Sequence, residues 1–323
     1  MHSLTRALFL TFLIGAAAQS AFAQVEKAPP VEPILPVLVP TLAAIPYGPD
    51  PRQVLDFYRA ESQTPTPVLF WIHGGGWVAG SRANPTGAHE CLAAGISVVS
   101  ISYRFVPQAI IAGAEPPVEW PLRDAARALQ FVRSKAGEWN LDKTRIAASG
   151  GSAGACSSLW LAFHDDMANL QSADPVERES TRLACAAVIG AQTSLDPAQM
   201  KEWIPNSRYG GHAFGFMPDP NDTKTRDTMF PEFLAAREKL LPWIREFSPY
   251  QHVSKDDPPV YLIYNAAPAP GEALPDPTHS ANFGVKLQEK LRSVGVPCEL
   301  VYPGAPEVKH PQAHGYIIDR LKE

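Results

Sequence analysis

Apolar runs of strand length alternate with segments of helical period along most of the chain, and this alternation limits the fold more than any other feature. Six runs show it: VLFWIH, SVVSISY, RIAAS, CAAVIG, PVYLIY and CELVY, at residues 68–73, 97–103, 145–149, 185–190, 259–264 and 298–302. Segments of helical length lie at residues 85–94, 121–136, 153–164, 281–294 and about 311–322. Uniformly apolar strands are typical of a parallel sheet covered on both faces. The pattern therefore predicts an α/β fold with a mostly parallel central sheet and helices on both faces.

Size and charge set further bounds. The chain has 323 residues, enough for one large α/β domain or two small ones. Its net charge of −5 gives no basic footprint for nucleic acid and no positive patch for an anionic membrane. We therefore expect neither nucleic acid nor a membrane surface as a partner.

The first 23 residues have the pattern of a secretory signal peptide. A weakly basic start is followed by an apolar run from Ala7 to Ala18 and by the small-x-small sequence Ala21-Phe22-Ala23. The apolar run is too short to span a bilayer, which needs roughly 20 residues. We expect cleavage after Ala23, no membrane anchor after signal removal, and a secreted or periplasmic protein.

Two segments depart from the alternation of strands and helices. Residues 24–64 are proline-rich and aperiodic at their start, which predicts an extended N-terminal arm. Residues 197–255 separate two strands and predict a cap-like insertion over the carboxyl ends of the strands. Five aromatic residues of the insertion either wall a pocket or attach the insertion to its domain: Trp203, Tyr209, Phe214, Phe216 and Trp243.

The four cysteines, at positions 91, 156, 185 and 298, lack the spacing of a metal site. Export permits disulfides, but all four lie among apolar residues, where a free thiol packs as a small hydrophobic group. Buried thiols are the prediction, and a Cys156–Cys185 bridge is the alternative.

The segment RIAASGGSAGA contains G-x-S-x-G directly after a predicted strand and directly before a predicted helix. This is the setting of a nucleophile elbow, in which a strained turn raises the serine hydroxyl above the sheet. Glycines at positions 150 and 154 are expected because a Cβ there would collide where strand and helix pack closely. Ser152 is the predicted nucleophile.

A second glycine-rich segment, FWIHGGGW, follows the first strong strand. Its glycines leave backbone N–H groups free of side chains, so they can hold the oxyanion of a tetrahedral intermediate. The predicted donors are the amides of Gly75 and Gly76, together with that of Ala153. His73 is interpreted as a residue that organises this loop and not as a base.

Together, HGGGW, SYRFVP, PLRDAARAL and LDKTRIAASGGSAGA resemble the HGGG-type (hormone-sensitive-lipase-like) carboxylesterases of the α/β-hydrolase fold. The resemblance covers roughly residues 65–323, taken as the catalytic domain, and is strongest between residues 68 and 160. It implies an elbow serine that attacks an ester and needs no metal or cofactor. It also implies an acid after the next-to-last strand and a histidine after the last, the order that the fold itself predicts.

The acid is predicted in the loop after PVYLIY. The positions that directly follow this strand, 265–268, hold no carboxylate, and the first ones are Glu272 and Asp276. Asp276 precedes a proline and lies just before a helix, as the acid of the resembling family does. Asp276 is therefore the predicted acid, with Glu272 as the alternative.

The base is sought after the last strand, where His310 and His314 follow CELVY. His314-Gly315-Tyr316 matches the usual ending of the family, but Pro311 favours the first turn of a helix and keeps His310 on the loop. His310 is the predicted base and His314 the alternative. His279 is interpreted as a helix-start residue.

These features predict a serine carboxylesterase with Ser152 as nucleophile, His310 as base and Asp276 as orienting acid. The expected substrates are short acyl esters, small or carried on polysaccharide as acetyl or feruloyl groups. A serine peptidase of the same fold and a catalytically silent binding protein remain as alternatives.

Overall fold

Eight strands form one sheet in residues 37–323, the part of the chain that this computed structural model describes. Their bounds are β1 Leu42–Pro46, β2 Val54–Tyr58, β3 Thr66–Ile72, β4 Ser97–Ile101, β5 Leu141–Gly151, β6 Cys185–Ile189, β7 Val260–Ile263 and β8 Cys298–Val301. The order across the sheet is β1-β2-β4-β3-β5-β6-β7-β8. The strands β3 to β8 pair in parallel, whereas β1 and β2 join the edge antiparallel. The predicted mostly parallel sheet is confirmed.

Eleven helices connect and cover the strands of the described chain. They are α1 Ala88–Ala93, α2 Val106–Ile111, α3 Glu119–Ser134, α4 Ala136–Trp139, α5 Ala153–Phe163, α6 Pro197–Trp203, α7 Phe230–Ala235, α8 Arg237–Phe247, α9 Pro249–His252, α10 Ala281–Ser293 and α11 Ala313–Lys322. Short 3₁₀ turns lie at Gly211–Phe214 and Thr223–Thr225.

Alternating side chains of the sheet enter two separate cores. On β3, Phe70 and its even-numbered neighbours pack on the side of α3, α5 and α10, whereas Leu69 and Trp71 pack on the side of α1 and α11. A strand buried on both faces has no polar side, which is why the strand sequences are uniformly apolar. The predicted two-sided covering of the sheet is confirmed.

The N-terminal boundary of the sheet differs from the sequence-based expectation. Residues 24–64 were expected to form an arm outside the α/β domain, but β1 and β2 lie inside this range. The strand β1 pairs with β2, and β2 pairs with β4. Leu55 and Phe57 are fully buried in the core. VLDFY is rich in apolar and aromatic residues that favour a strand, and this composition outweighs the proline-rich stretch before it. The predicted signal peptide, residues 1–23, and the predicted arm up to residue 36 lie outside the described residues.

The predicted insertion lies between β6 and β7 and contains α6 to α9. The predicted helical piece near residues 231–247 is divided at Ala236 into α7 and α8. Within residues 37–323, no helix combines the length and apolar character that a bilayer crossing requires.

All four cysteines are free, and Cys91, Cys156 and Cys185 are buried. Burial raises the pKa of the Cys91 and Cys185 thiols to about 12, so they remain protonated near neutral pH. The prediction of buried thiols holds for these three, and Cys298 is half-buried.

Candidate active site

Ser152 lies at the sharp turn between β5 and α5. Its backbone has φ 53° and ψ −121°, a conformation that an L-residue adopts only under strain. A Cβ on Gly150 would lie 2.3 Å from the Ile72 carbonyl oxygen, and one on Gly154 would lie 2.1 Å from the same atom. Only glycine fits at the positions two residues before and two residues after Ser152, as the sequence predicts.

The glycine loop after β3 runs beside this turn. A Cβ on Gly74 would come within 2.6 Å of the Gly151 carbonyl oxygen and 3.5 Å of the Ser152 Cβ. Gly75 and Gly76 have positive φ angles of 98° and 61°, which favour glycine. Among residues 37–323, the amides of these two glycines donate to no backbone carbonyl. The Ala153 amide, at the first position of α5, also lacks an intrahelical acceptor.

Tyr103 and His73 support the glycine loop through hydrogen bonds and ring stacking. The Tyr103 hydroxyl donates to the His73 carbonyl at 2.8 Å, and the His73 ring stacks on Tyr103 with 4.2 Å between centroids. His73 Nδ1 lies 2.8 Å from the Gly74 carbonyl oxygen, and burial lowers the pKa of His73 to about 4. The neutral imidazole donates from Nδ1 and so organises the loop, in agreement with the sequence-based interpretation.

The side chain that meets Ser152 is His279. Its Nε2 lies 2.9 Å from the Ser152 Oγ, and its Nδ1 lies 2.8 Å from Oδ2 of Asp276. Asp276 also accepts the backbone amides of Thr278 and His279 on its other oxygen, each at 3.2 Å. The acid and the imidazole therefore come from one short turn, three residues apart, in the loop between β7 and α10.

Ionisation of Asp276 is favoured by these contacts. Partial burial opposes the charged form, but the hydrogen bonds from His279 and the two amides outweigh it and lower the pKa of Asp276 below 3.8. Asp276 is consequently a carboxylate at neutral pH, the form that can orient and stabilise an imidazolium.

The structure corrects the prediction of His310 as the partner of Ser152. His310 Nδ1 lies 2.7 Å from Glu299 Oε2 and Nε2 lies 2.9 Å from Asp319 Oδ2. Burial opposes protonation, but these two hydrogen bonds raise the pKa of His310 above 6.5. Both ring nitrogens are occupied by carboxylates of β8 and α11, so His310 joins the last strand to the last helix.

The two alternatives are also not brought to Ser152. His314 lies in the first turn of α11, as its distance from Pro311 predicts, and its Cβ is next to Gly87. Glu272 is exposed and does not contact His279 through a hydrogen bond. The expectation that His279 starts a helix is correct in position, since it directly precedes the N-cap Ser280, but it misses the contact with Ser152.

Three polar side chains fasten the loop that carries Asp276 and His279. Asn206 of the insertion donates to the Leu274 carbonyl at 2.8 Å and accepts the Leu274 amide at 3.0 Å. Asn282 accepts the Ala269 amide at 2.9 Å. Gln192 donates to the Thr278 carbonyl at 2.7 Å. The proline-rich loop is thus fixed at its start, middle and end, although its composition resembles that of a linker.

A cavity of about 550 Å³ opens beside the Ser152 hydroxyl. Apolar side chains from β3, the end of β6 and the loop after β7 line it, including Trp71, Ile189, Leu274 and Pro275. Its volume is in the range typical of sites for small molecules. The arrangement of hydroxyl, imidazole and carboxylate at the mouth of an apolar cavity suits acyl transfer.

No residue of the insertion lines this cavity. Trp203 packs edge-on against Tyr250 and Phe283, and Phe214 stacks on Phe233. The insertion reaches the glycine loop through His212, whose Nε2 lies 2.9 Å from the Gly76 carbonyl oxygen. Trp203 attaches the insertion to α10 through Phe283, whereas Phe214, Phe216 and Trp243 line a separate, smaller cavity of about 290 Å³. Each interpretation therefore holds for some of these aromatics, but none of them lines the cavity beside Ser152.

The BD-FAE family model matches residues 55–268 of the 323-residue chain. The chain belongs to the BD-FAE family. The matched region includes the glycine loop and the elbow and ends before Asp276 and His279. The predicted resemblance to carboxylesterases of the α/β-hydrolase fold is confirmed by the family and by the relatives.

The chain is similar to several proteins named as esterases. Esterase LipC of Mycobacterium tuberculosis is 27% identical over 227 residues, which cover 68% of this chain and 49% of LipC. The chain thus spans about half the length of that relative. A truncated carbohydrate esterase from gut microbiota has a TM-score of 0.62 at 18% identity, covering 87% of this chain and 96% of that one.

An acetyl ester-xyloside bifunctional hydrolase from Caldicellulosiruptor lactoaceticus has a TM-score of 0.55 at 22% identity, covering 83% of this chain and 84% of that one. At such identities the two solved structures show the shared α/β-hydrolase fold.

In this BD-FAE family member, sequence reasoning missed His279 because it followed the order acid, last strand, histidine. The signal that could have found it is the sequence Asp-Pro-Thr-His at residues 276–279. An aspartate at the start of a tight turn accepts amides two and three residues later, which folds the third residue back onto its carboxylate. Asn206 and Gln192 had no signal in the sequence, since their partners are backbone atoms distant along the chain.

Proposed function

We propose that this chain is a serine carboxylesterase that hydrolyses short-chain acyl esters, with Ser152 as nucleophile, His279 as general base and Asp276 as the acid that orients it. The supporting observation is the hydrogen-bonded series from Ser152 Oγ to His279 Nε2 at 2.9 Å and from His279 Nδ1 to Asp276 at 2.8 Å. A nucleophile within reach of a base, with the base oriented by a third group, is the geometry that this chemistry needs.

In the proposed mechanism His279 Nε2 accepts the Ser152 proton as Oγ attacks the ester carbonyl. The negative charge that develops on the carbonyl oxygen is held by the amides of Gly75, Gly76 and Ala153, each worth a few kcal/mol of transition-state stabilisation by analogy with other oxyanion holes, about 3–4. His279 then returns the proton to the leaving alkoxide. Water, activated by the same imidazole, releases the acid from the acyl-enzyme.

The cavity supports a small-molecule ester as the substrate. Its apolar walls suit an acyl group, and its volume of about 550 Å³ lies in the range of small-molecule sites. Because two proteins of the same fold are named for carbohydrate esters, acetyl and feruloyl esters of polysaccharides belong in the same proposal. A substrate screen of p-nitrophenyl esters of increasing chain length, acetylated and feruloylated sugars, and an amino-acid p-nitroanilide tests the assignment against a peptidase.

The direct test of the nucleophile is Ser152→Ala, for which we expect p-nitrophenyl acetate hydrolysis to fall by roughly 10⁴-fold or more. A fluorophosphonate should add its mass to the wild type and not to this variant. Ser293→Ala is the matched control, because Ser293 is an exposed residue at the end of α10. Unchanged hydrolysis by Ser152→Ala would reject Ser152 as the nucleophile, and absence of hydrolysis by the wild type would indicate a silent binding protein.

The acid is tested by comparing Asp276→Asn with Glu272→Gln. We expect kcat to fall by roughly 10²- to 10⁴-fold in the first variant, since the amide cannot stabilise an imidazolium, and to stay unchanged in the second. A loss confined to Glu272→Gln would exchange the two assignments.

Export is proposed together with this activity, and its support is the N-terminal sequence alone. We expect the mature protein outside the cytoplasm with Gln24 as its first residue. Mass spectrometry of the protein from medium and periplasm measures this, and a cytoplasmic protein that retains residues 1–23 would contradict it.

A further inference from the structure

A second cluster of polar side chains lies where the insertion meets the helix that follows Ser152. His164 caps the end of α5, Glu246 lies in the last turn of α8, and His252 ends α9. One potential metal-binding atom from each of these residues lies within 4.8 Å of the other two. Because α5 has 11 residues, its length of roughly 16 Å separates the cluster from the elbow.

Each imidazole of the cluster is oriented by a backbone carbonyl. His164 Nδ1 lies 2.8 Å from the Asp165 carbonyl oxygen, and His252 Nε2 lies 2.6 Å from that of Glu246. A ring nitrogen that donates to a carbonyl leaves the other nitrogen with its lone pair, and metal-binding histidines are held in this way.

The remaining nitrogen of His164 faces a negatively charged oxygen. His164 Nε2 lies 3.3 Å from Glu246 Oε1, and both are acceptors when Nδ1 carries the only ring proton. The Arg123 guanidinium donates to the same oxygen, but the lone pair of His164 Nε2 is left without a donor. A cation bound between this nitrogen and the carboxylate would satisfy it.

We propose that His164, Glu246 and His252 form a binding site for a divalent transition-metal cation of the zinc class. Two imidazoles and one carboxylate are a donor set that Zn²⁺ binds, with water in a remaining position. Arg123 lies 2.7 Å from Oε1 of Glu246 and so supports one carboxylate oxygen, while Oε2 accepts no hydrogen bond from residues 37–323.

The consequence of binding would be structural. Trp160 of α5 already donates to the Glu246 carbonyl at 2.8 Å, so the cluster lies at an existing contact between α5 and α8. A metal bound to all three residues would tie α5 to α8 and α9, and any ligand that binds the folded state alone stabilises it by mass action. The site is independent of the proposed ester hydrolysis.

The test is titration of EDTA-treated, dialysed full-length protein with ZnCl₂, followed by calorimetry and by the melting temperature. We expect one equivalent of zinc and a higher melting temperature, and visible d–d absorption when Co²⁺ replaces zinc. His164→Ala and His252→Ala should each weaken binding by at least about tenfold, the range seen for disrupted metal sites. Glu246→Gln provides a variant of equal size in case the alanine variants do not fold.

His89→Ala is the control for non-specific binding, and His279→Ala is the control for binding at the candidate active site. Both should keep the one-to-one stoichiometry. Absence of zinc binding in the wild type would mean that the three side chains form a hydrogen-bonded cluster and not a metal site. That result, or unchanged binding in a His164→Ala/His252→Ala double variant, would overturn the proposal.

Discussion

The strained backbone conformation of Ser152 depends on two nearby glycines. Its φ of 53° is maintained because β5 and α5 approach the end of β3 closely, and Gly150 and Gly154 make that approach possible. The need for both glycines was predicted from the sequence, because a Cβ at either position of the G-x-S-x-G motif would clash where strand and helix pack closely. At this scale the sequence is most informative where a residue's role depends on its immediate neighbours.

We expect Gly154→Ala to destabilise the protein by at least about 1–3 kcal/mol, the usual cost of overpacking. The new Cβ would lie 2.1 Å from the Ile72 carbonyl oxygen, and backbone atoms cannot move aside cheaply. Chemical denaturation measures the free energy of unfolding.

The matched control is Gly137→Ala in α4, where a Cβ meets nothing within 4 Å. We expect this helical substitution to be neutral or to stabilise by about 0.5–1 kcal/mol. Equal effects of the two substitutions would show that the contact with Ile72 does not determine the cost.

At the scale of elements, the loop between β7 and α10 supplies both the carboxylate and the imidazole. Prolines reduce the number of conformations that the unfolded loop can adopt. In the folded protein, hydrogen bonds from the side chains of Asn206, Asn282 and Gln192 fix the path of the loop. Asn206 belongs to the insertion, so the insertion positions the loop without lining the cavity.

We expect Asn206→Ala to lower kcat by about 10- to 100-fold, because loss of both hydrogen bonds to Leu274 lets the turn that carries His279 move. The KM should change little, since most of the cavity lining remains. Asn221→Ala, in an exposed turn of the same insertion, is the control and should match the wild type. A fall in melting temperature with kcat unchanged would assign Asn206 a purely structural role.

The connection between β8 and α11 should respond to pH through His310. Its folded-state pKa is raised above the unfolded value of 6.5, so its stabilisation is fully present below 6.5 and is lost as pH rises through the folded-state pKa. We expect His310→Gln to lower the melting temperature most near about pH 6 and progressively less at higher pH.

His314→Gln, on the same segment but with neither carboxylate contact, should keep the wild-type pH dependence. A constant difference between His310→Gln and the wild type from about pH 6 to 9 would contradict this role for His310.

For the whole molecule, the alternation of strands and helices was sufficient to predict the sheet, its parallel centre and the position of the elbow. Each of these depends on patterns within a few residues of one another. The antiparallel edge strands were missed because VLDFY follows a proline-rich stretch, and the pairing of β2 with β4 joins residues at least 40 positions apart.

In the candidate site, too, features with a local sequence motif were predicted, and contacts between distant residues were missed. Ser152 and the glycine loop have local motifs, and Asp276 was found from its place before a helix. His310 was chosen because the common chain order places the histidine after the last strand, but Glu299 and Asp319, distant in sequence from each other, hold both its nitrogens. Which histidine meets the serine is a property of the folded chain.

The most direct test of the account compares kcat/KM for p-nitrophenyl acetate in His279→Gln and His310→Gln at neutral pH. We expect a fall of roughly 10³- to 10⁴-fold or more in His279→Gln, because Ser152 would lose its base, and a change of less than about threefold in His310→Gln. Wild-type turnover in His279→Gln, with the loss confined to His310→Gln, would contradict the central claim.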